Sequence, residues 1–235
     1  MEYKNVYFLG IGGIGMSALA RYFLHGGYAV AGYDRTPSHL TGELEAEGAA
    51  VHYEDDVRLI PEGFLDPKKT MVVYTPAVPQ DHGEYRYFRE HGFCVEKRSQ
   101  MLGHLAEGKY VMAVAGTHGK TTTSSMLAHL LKQSPVDCNA FLGGILKNYE
   151  SNLMLSDTSD FTVIEAEDGE QAVDIFFKQK DISLIILDVM MPKMDGWEVL
   201  KTVRQYSQVP VIMLTARGEE RDELQGFKLG VDEYI

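Results

Sequence analysis

Two glycine-rich turns constrain this chain more than any other feature. Gly10-Ile11-Gly12-Gly13-Ile14-Gly15 and Ala115-Gly116-Thr117-His118-Gly119-Lys120-Thr121-Thr122-Thr123 each follow a short apolar run and open a helical pattern. Parallel strands cannot be joined by a tight hairpin, so a chain that repeats strand, turn and helix folds as α/β layers. The alternation predicts strands at 6–10, 29–33, 71–74, 110–115, 138–142, 161–166, 184–189, 211–215 and 233–235. It predicts helices at 15–26, 39–47, 84–91, 100–107, 120–133, 170–178, 196–205 and 219–229. The polar stretch 147–159 reads as a surface loop. The expectation is two doubly wound parallel-sheet, Rossmann-like domains, 1–107 and 108–235, divided near Glu107-Gly108-Lys109.

In the first turn, Gly10, Gly12 and Gly15 fit G-x-G-x-x-G, with Gly13 between them. Glycine permits the close backbone approach, and the helix start presents free N–H groups to a diphosphate. Asp34 ends the following strand, where an acid takes a ribose hydroxyl. The pattern by itself suits NAD as readily as another nucleotide.

The second turn is a shortened phosphate loop. Its backbone N–H groups, with Gly116, Thr117, Gly119 and Thr122 among the residues presenting them, form a concave anion site. Lys120 is placed to reach the β- and γ-phosphates of ATP, and the Thr121 hydroxyl to ligate Mg²⁺. The longer consensus has Gly where this chain has Val114. His118 reads as a loop-shaping residue.

Composition excludes other classes. Lys and Arg number 22 against 34 Asp and Glu, a net charge of −12. A nucleic-acid surface needs clustered cations, so no nucleic-acid partner is expected. No apolar stretch reaches the length of a membrane span, so no membrane partner is expected either. Cys94 and Cys138 have no ligand-like spacing around them and read as reduced, buried thiols of a cytoplasmic protein. No basic and then apolar leader precedes the first strand.

The strings Gly10 to Ser17, Tyr74-Thr75-Pro76-Ala77-Val78-Pro79 and Gly116-Thr117-His118-Gly119-Lys120-Thr121-Thr122 together resemble the UDP-N-acetylmuramate–L-alanine ligases, a family within the Mur ligases of peptidoglycan synthesis. The resemblance covers about the first 165 residues. It implies that the first domain holds a UDP-sugar at Gly10, Gly12, Gly13, Gly15 and Asp34, that Gly143-Gly144 approaches the sugar, and that Glu165 supplies a Mg²⁺ carboxylate. Glu167-Asp168 departs from the family's Asp-Glu. The histidine and asparagine of the family's ATP site, and its amino-acid-binding domain, have no counterpart, so alanine ligation is not expected.

From Val163 onward the pattern changes. Leu187-Asp188-Val189-Met190-Met191-Pro192-Lys193-Met194-Asp195-Gly196, residues 210–216 and residues 230–235 resemble the receiver domain of response regulators. The join lies near 162–168. The resemblance implies Asp188 as phosphoacceptor, Thr215 as switch hydroxyl and a histidine kinase as partner. The receiver's first strand with its paired acids is absent, and so is the lysine after its last strand. A bare leftover carboxylate is the plainer reading of Asp188.

Three readings follow. One is a nucleotide-binding protein of Mur ligase ancestry. The second is a signalling module using Asp188. The third is an engineered or accidental chimera with no selected function. Under the first reading the strand at 110–115 takes the receiver's vacant central place, flanked by 161–166 and 184–189. Thr121, Glu165 and Asp188 then reach one edge as candidate Mg²⁺ ligands.

Overall fold

β1 (Asn5–Leu9) is the stem of the first glycine turn, and Val6, Tyr7, Phe8 and Leu9 are all fully buried. A strand buried on both faces belongs at the centre of a parallel sheet with helices on either side. The chain continues through α1 (Ile14–His25), β2 (Ala29–Tyr33), α2 (His39–Ala46), β3 (Ala50–His52), β4 (Thr70–Tyr74), α3 (Gly83–Glu90) and β5 (Cys94–Lys97). The strands form one parallel sheet in the order β3-β2-β1-β4-β5. The order of connection switches sides at β1, so the turn after β1 opens at the switch point, beyond the carboxyl ends of the strands. Ser38 caps α2 through a reciprocal box with Thr41. Sequence reading overlooked β3 and β5, which are short and carry His52, Glu96 and Lys97 in place of an apolar alternation.

The computed structural model describes residues 3–179, 181–214 and 220–235. It separates into two compact units, the first ending at Met101 and the second beginning at Leu102. The division falls within α4 (Arg98–Ala106).

The second unit runs β6 (Tyr110–Ala115), α5 (Lys120–Lys132), β7 (Asn139–Leu146), β8 (Ser151–Met154), β9 (Phe161–Ala166), α6 (Gly169–Lys178), β10 (Ile182–Asp188), α7 (Gly196–Arg204), β11 (Val211–Leu214), α8 (Glu220–Leu229) and β12 (Glu233–Tyr234). Its sheet has the order β12-β11-β10-β6-β9-β7-β8. β6 lies between β9 and β10, parallel to both. The segment read as a loop at 147–159 contains β8, antiparallel to β7. Asn152, Leu153 and Met154 are buried there, so packing overrides a polar local sequence. The sheet is therefore mostly rather than wholly parallel.

The join falls in β9, whose residues pair one-for-one with β6 from Tyr110–Phe161 to Ala115–Ala166. Val163 and Ile164 are fully buried. Two Asp-Gly pairs then start α6 and α7. The Asp168 side chain accepts from the Gln171 N–H, and Asp195 forms a capping box with Glu198. A Cβ on Gly169 would strike the Met194 carbonyl, and one on Gly196 the Asp188 carbonyl. Both helix starts are thus packed tightly against the β10–α7 connection.

Candidate functional site

The phosphate loop leaves β6 at the switch point of the second sheet. Gly119 caps α5 in the left-handed region, φ 72°, which glycine adopts without strain. Thr117, His118 and Gly119 are exposed, Lys120 and Thr121 half-buried, and Thr122 exposed on the first helical turn. Gly116 is buried beneath the loop. The Lys120 ammonium donates to the Thr117 carbonyl at 3.4 Å.

Glu165 is the penultimate residue of β9 and is 3% exposed. Its carboxylate accepts from the Thr121 hydroxyl at 3.2 Å, from the Gly143 N–H at 3.1 Å, and from the Ser124 hydroxyl. A Cβ on Gly143 would lie 2.5 Å from Glu165 Oε2, and one on Gly144 would lie 2.7 Å from Thr121 Cγ2. The two glycines therefore let β7 run close enough to clamp the carboxylate and hydroxyl together. A hard cation accepts this pair of oxygens, and Mg²⁺ ordinarily takes its remaining ligands from phosphates and water. Among the described residues no group of three or more His, Cys, Asp or Glu gathers to hold a metal by protein side chains alone.

Asp188 ends β10, on the other side of β6. Its Oδ2 accepts the Thr117 N–H at 3.0 Å and its Oδ1 accepts the Met190 N–H at 2.9 Å. The Thr117 hydroxyl donates to the Met190 carbonyl. A cavity of about 1110 Å³ opens here, lined by Thr117, His118, Lys120, Asp188, Asp195 and Trp197 among others. Of the candidate metal ligands, Thr121 and Glu165 meet directly, while Asp188 reaches the loop backbone. Thr215 lies outside the described residues.

In the first unit, Gly10 has φ 85°, and a Cβ there would stand 2.6 Å from Thr75 Cγ2. Gly13 caps α1 with no side-chain hydrogen bond. The Gly12 N–H donates to Asp34 Oδ2 at 2.7 Å. Asp34 thus braces the glycine turn. A Cβ on Gly15 would collide with the Arg98 guanidinium. That places a buried cation against the turn built to receive a diphosphate, and sequence reading did not single out Arg98. The signal was weak: an Arg in Lys97-Arg98-Ser99, far along the chain, with no motif around it.

A polar cluster was also missed. The Tyr7 hydroxyl donates to Glu84 Oε2 at 2.6 Å, His52 Nε2 lies 2.7 Å from that hydroxyl, and His52 Nε2 and Glu84 Oε1 are 3.3 Å apart. Burial, the largest influence, pushes the Glu84 carboxyl up to about 7; the Tyr7 bond opposes this and nearby Asp55 adds to it. Burial also lowers His52 and His82.

The family description "Mur ligase family, catalytic domain" matches residues 5–110, and "Response regulator receiver domain" matches residues 147–235. The chain joins a Mur-ligase-like segment to a receiver-like segment. The UDP-N-acetylmuramate–L-alanine ligase of Parabacteroides distasonis is 70% identical over 167 residues, 71% of this chain and 36% of that protein. That of Porphyromonas gingivalis strain W83 is 54% identical over 201 residues, 86% of this chain and 43% of that protein. The chain thus spans well under half the length of the curated relatives it matches. The crystal structure of a UDP-N-acetylmuramate–alanine ligase from Thermotoga maritima superposes with a TM-score of 0.77 at 24% identity, covering 98% of this chain and 52% of that one. A Mur ligase fold therefore extends over nearly the whole chain, including the stretch whose sequence is receiver-like. The receiver-like units complete the sheet that the ligase-like β6 and its phosphate loop begin. No helix among the described residues is long and apolar enough to cross a membrane.

Proposed function

We propose that this chain is a nucleotide-binding protein of Mur ligase type, taking a UDP-sugar on the first unit and Mg²⁺–ATP on the second, in the cytoplasm. The observation that carries the reading is the Thr121–Glu165 pair, 3.2 Å apart and clamped by Gly143 at the start of α5. Bound Mg²⁺ would supply charge neutralisation on the phosphates. Thr121 and Glu165 would hold it, Lys120 would turn from the Thr117 carbonyl to the terminal phosphates, and the loop N–H groups would orient them. On the first unit, the N–H groups at the start of α1 and the Arg98 guanidinium would take the UDP diphosphate. Ligation is not proposed for these 235 residues, since it requires two reactants held in register. Calorimetry with ATP in the presence and absence of Mg²⁺ tests the reading. Metal-dependent heat that Lys120→Ala removes supports it, and no heat in either titration refutes it.

A second reading rests on Asp188, half-exposed at the end of β10 and lining the cavity. It makes Asp188 a phosphoacceptor with a histidine kinase as partner. Incubation with acetyl phosphate, which transfers its phosphoryl group and leaves as acetate, followed by intact mass measurement decides it: an adduct of about 80 Da (net HPO3) absent from Asp188→Asn supports it, and no adduct removes it.

A further inference from the structure

Asp188 accepts a backbone N–H of the phosphate loop itself. We propose that it is an internal occupant of the loop, held where a phosphate oxygen would otherwise sit, so that the loop is self-capped and an incoming anion must displace it. This rests on the reading of the loop as a phosphate site.

The capping contact is built from several parts. Asp188 Oδ2 accepts the Thr117 N–H at 3.0 Å, one of the backbone donors that such a loop offers to phosphate. The Met190 N–H takes the other oxygen at 2.9 Å, which fixes the carboxylate's orientation. The Thr117 hydroxyl then latches onto the Met190 carbonyl, tying the loop to the β10–α7 connection a second time. Gly116 makes room for all of this. A Cβ at that position would lie 2.8 Å from Asp188 Cβ and 3.2 Å from Oδ2. The Lys120 side chain borders the same space, its Cγ 3.3 Å from that point. The loop's cation and the internal carboxylate therefore share one pocket wall.

Glu165 shows a carboxylate that meets the loop through a side-chain hydroxyl, Thr121, in place of a loop N–H. It sits across β6, and its oxygens are held by Ser124, Thr121 and the Gly143 N–H. Asp188 instead accepts from the loop, and its negative charge opposes any second anion there. Met190 is 52% exposed, so its carbonyl exchanges Thr117 for water when the latch opens. Neutralising Asp188 removes the competitor and leaves the donors in place.

The test uses the full chain and two probes, inorganic pyrophosphate without metal and ATP with Mg²⁺, titrated calorimetrically into wild type, Asp188→Asn and Asp188→Ala, each checked for folding by circular dichroism. The expected result is metal-free pyrophosphate binding tightened about tenfold in both variants, the size of one charge-assisted hydrogen bond removed from competition. Lys120→Ala added to Asp188→Asn should abolish the gain. Unchanged or weaker pyrophosphate binding in both variants overturns the proposal. Mg²⁺–ATP binding that weakens in Asp188→Asn also overturns it, and makes Asp188 a metal ligand. If wild type binds Mg²⁺–ATP in a Lys120-dependent way while pyrophosphate binding by the Asp188 variants matches wild type, the phosphate-site reading stands and self-capping falls. If no variant binds either probe, both fall.

Discussion

The two glycine turns meet the same physical demand with partners of different origin. Each leaves a central strand at a switch point, and each has a carboxylate from the adjacent strand's end on one of its N–H groups: Asp34 on Gly12 at 2.7 Å, Asp188 on Thr117 at 3.0 Å. In the first turn the cation is Arg98, buried and fixed against Gly15. In the second it is Lys120, half-buried and carried by the loop. Every partner of the first turn lies within the stretch that matches the Mur ligase family, 5–110. The second turn draws Asp188 from the stretch that matches a receiver, 147–235, while Glu165 lies where that stretch overlaps the ligase-like one. A fold tolerates such a splice because a parallel sheet asks of each strand only length, burial and direction. A site asks for particular atoms, and the second turn is where those two demands separate.

The largest expected effect breaks the two turns apart. Lys120→Ala should weaken Mg²⁺–ATP binding about a hundredfold or more, because it deletes a cation that contacts charged phosphate oxygens. UDP-sugar binding on the first unit should be unchanged in the same protein. Parallel calorimetric titrations check both halves. Loss of UDP-sugar binding together with ATP binding would contradict separate sites.

Next in size is a pH effect confined to the first unit. Glu84 is fully buried, and its carboxyl stands at about 7 against an ordinary 4.5. Its folded-state value is raised, so the stabilisation it contributes is complete below about 4.5 and is lost as pH rises through about 7. The loss approaches roughly 3 kcal/mol. His52 and His82 act in the opposite sense. Burial lowers both from 6.5, so their contribution is lost as pH falls below that value. Glu84→Gln keeps an acceptor for the Tyr7 hydroxyl and has no charge to bury. Its urea midpoint, followed by circular dichroism, should lose the wild-type decline between pH 5 and 8 and instead rise or stay level as His52 and His82 become neutral. A parallel decline in both proteins would mean that Glu84 does not control the profile.

Much of this was legible in the sequence, and the reasons differ by element. β1, β6 and β10 are apolar runs closed by a chemical signal, either a glycine turn or a strand-terminal Asp, and their type follows from that; the place of β6 between β9 and β10 follows from the receiver's vacant central strand. β3, β5 and β8 are short strands whose polar residues hide the period, so only pairing with a neighbour defines them. The loop residues Gly116, Gly119 and Lys120 announce themselves through local spacing. Arg98, Glu84 and the Thr117–Met190 latch do not, because each depends on residues distant in sequence that only the folded sheet brings together. Cys94 shows the same limit: read as buried, it is partly exposed at the edge strand β5.

Arg98 gives the next prediction. Its guanidinium covers Gly15 at the start of α1, where a diphosphate would meet both the helix N–H groups and a fixed charge. Arg98→Ala should weaken UDP-sugar binding tenfold to about a hundredfold. Lys should restore only part of the affinity, since an ammonium lacks the planar fork. Equal affinity for all three proteins would make Arg98 a packing residue.

The smallest effect tests whether the receiver-like segment is held by its own local signals. α7 begins with Asp195, which accepts the Glu198 N–H at 2.9 Å while the Glu198 side chain returns to the Asp195 N–H. α2, in the ligase-like segment, begins with the equivalent Ser38–Thr41 box. Each cap satisfies a helix-start donor, and removing either side chain costs about 1 kcal/mol. The readout for α7 is unusually local. Trp197, the chain's single tryptophan, lies two residues beyond the cap and stacks with Tyr234 at an interplanar angle of 13°. Asp195→Ala should therefore lower the urea midpoint seen by tryptophan fluorescence, and Asp195→Asn, which keeps an acceptor, should recover most of it. Ser38→Ala supplies the counterpart in the other segment, read by circular dichroism. If Asp195→Ala leaves the Trp197 transition in place while Ser38→Ala shifts its own, the receiver-like helix is held by its packing against the β10–α7 connection through Gly196, and its cap is dispensable.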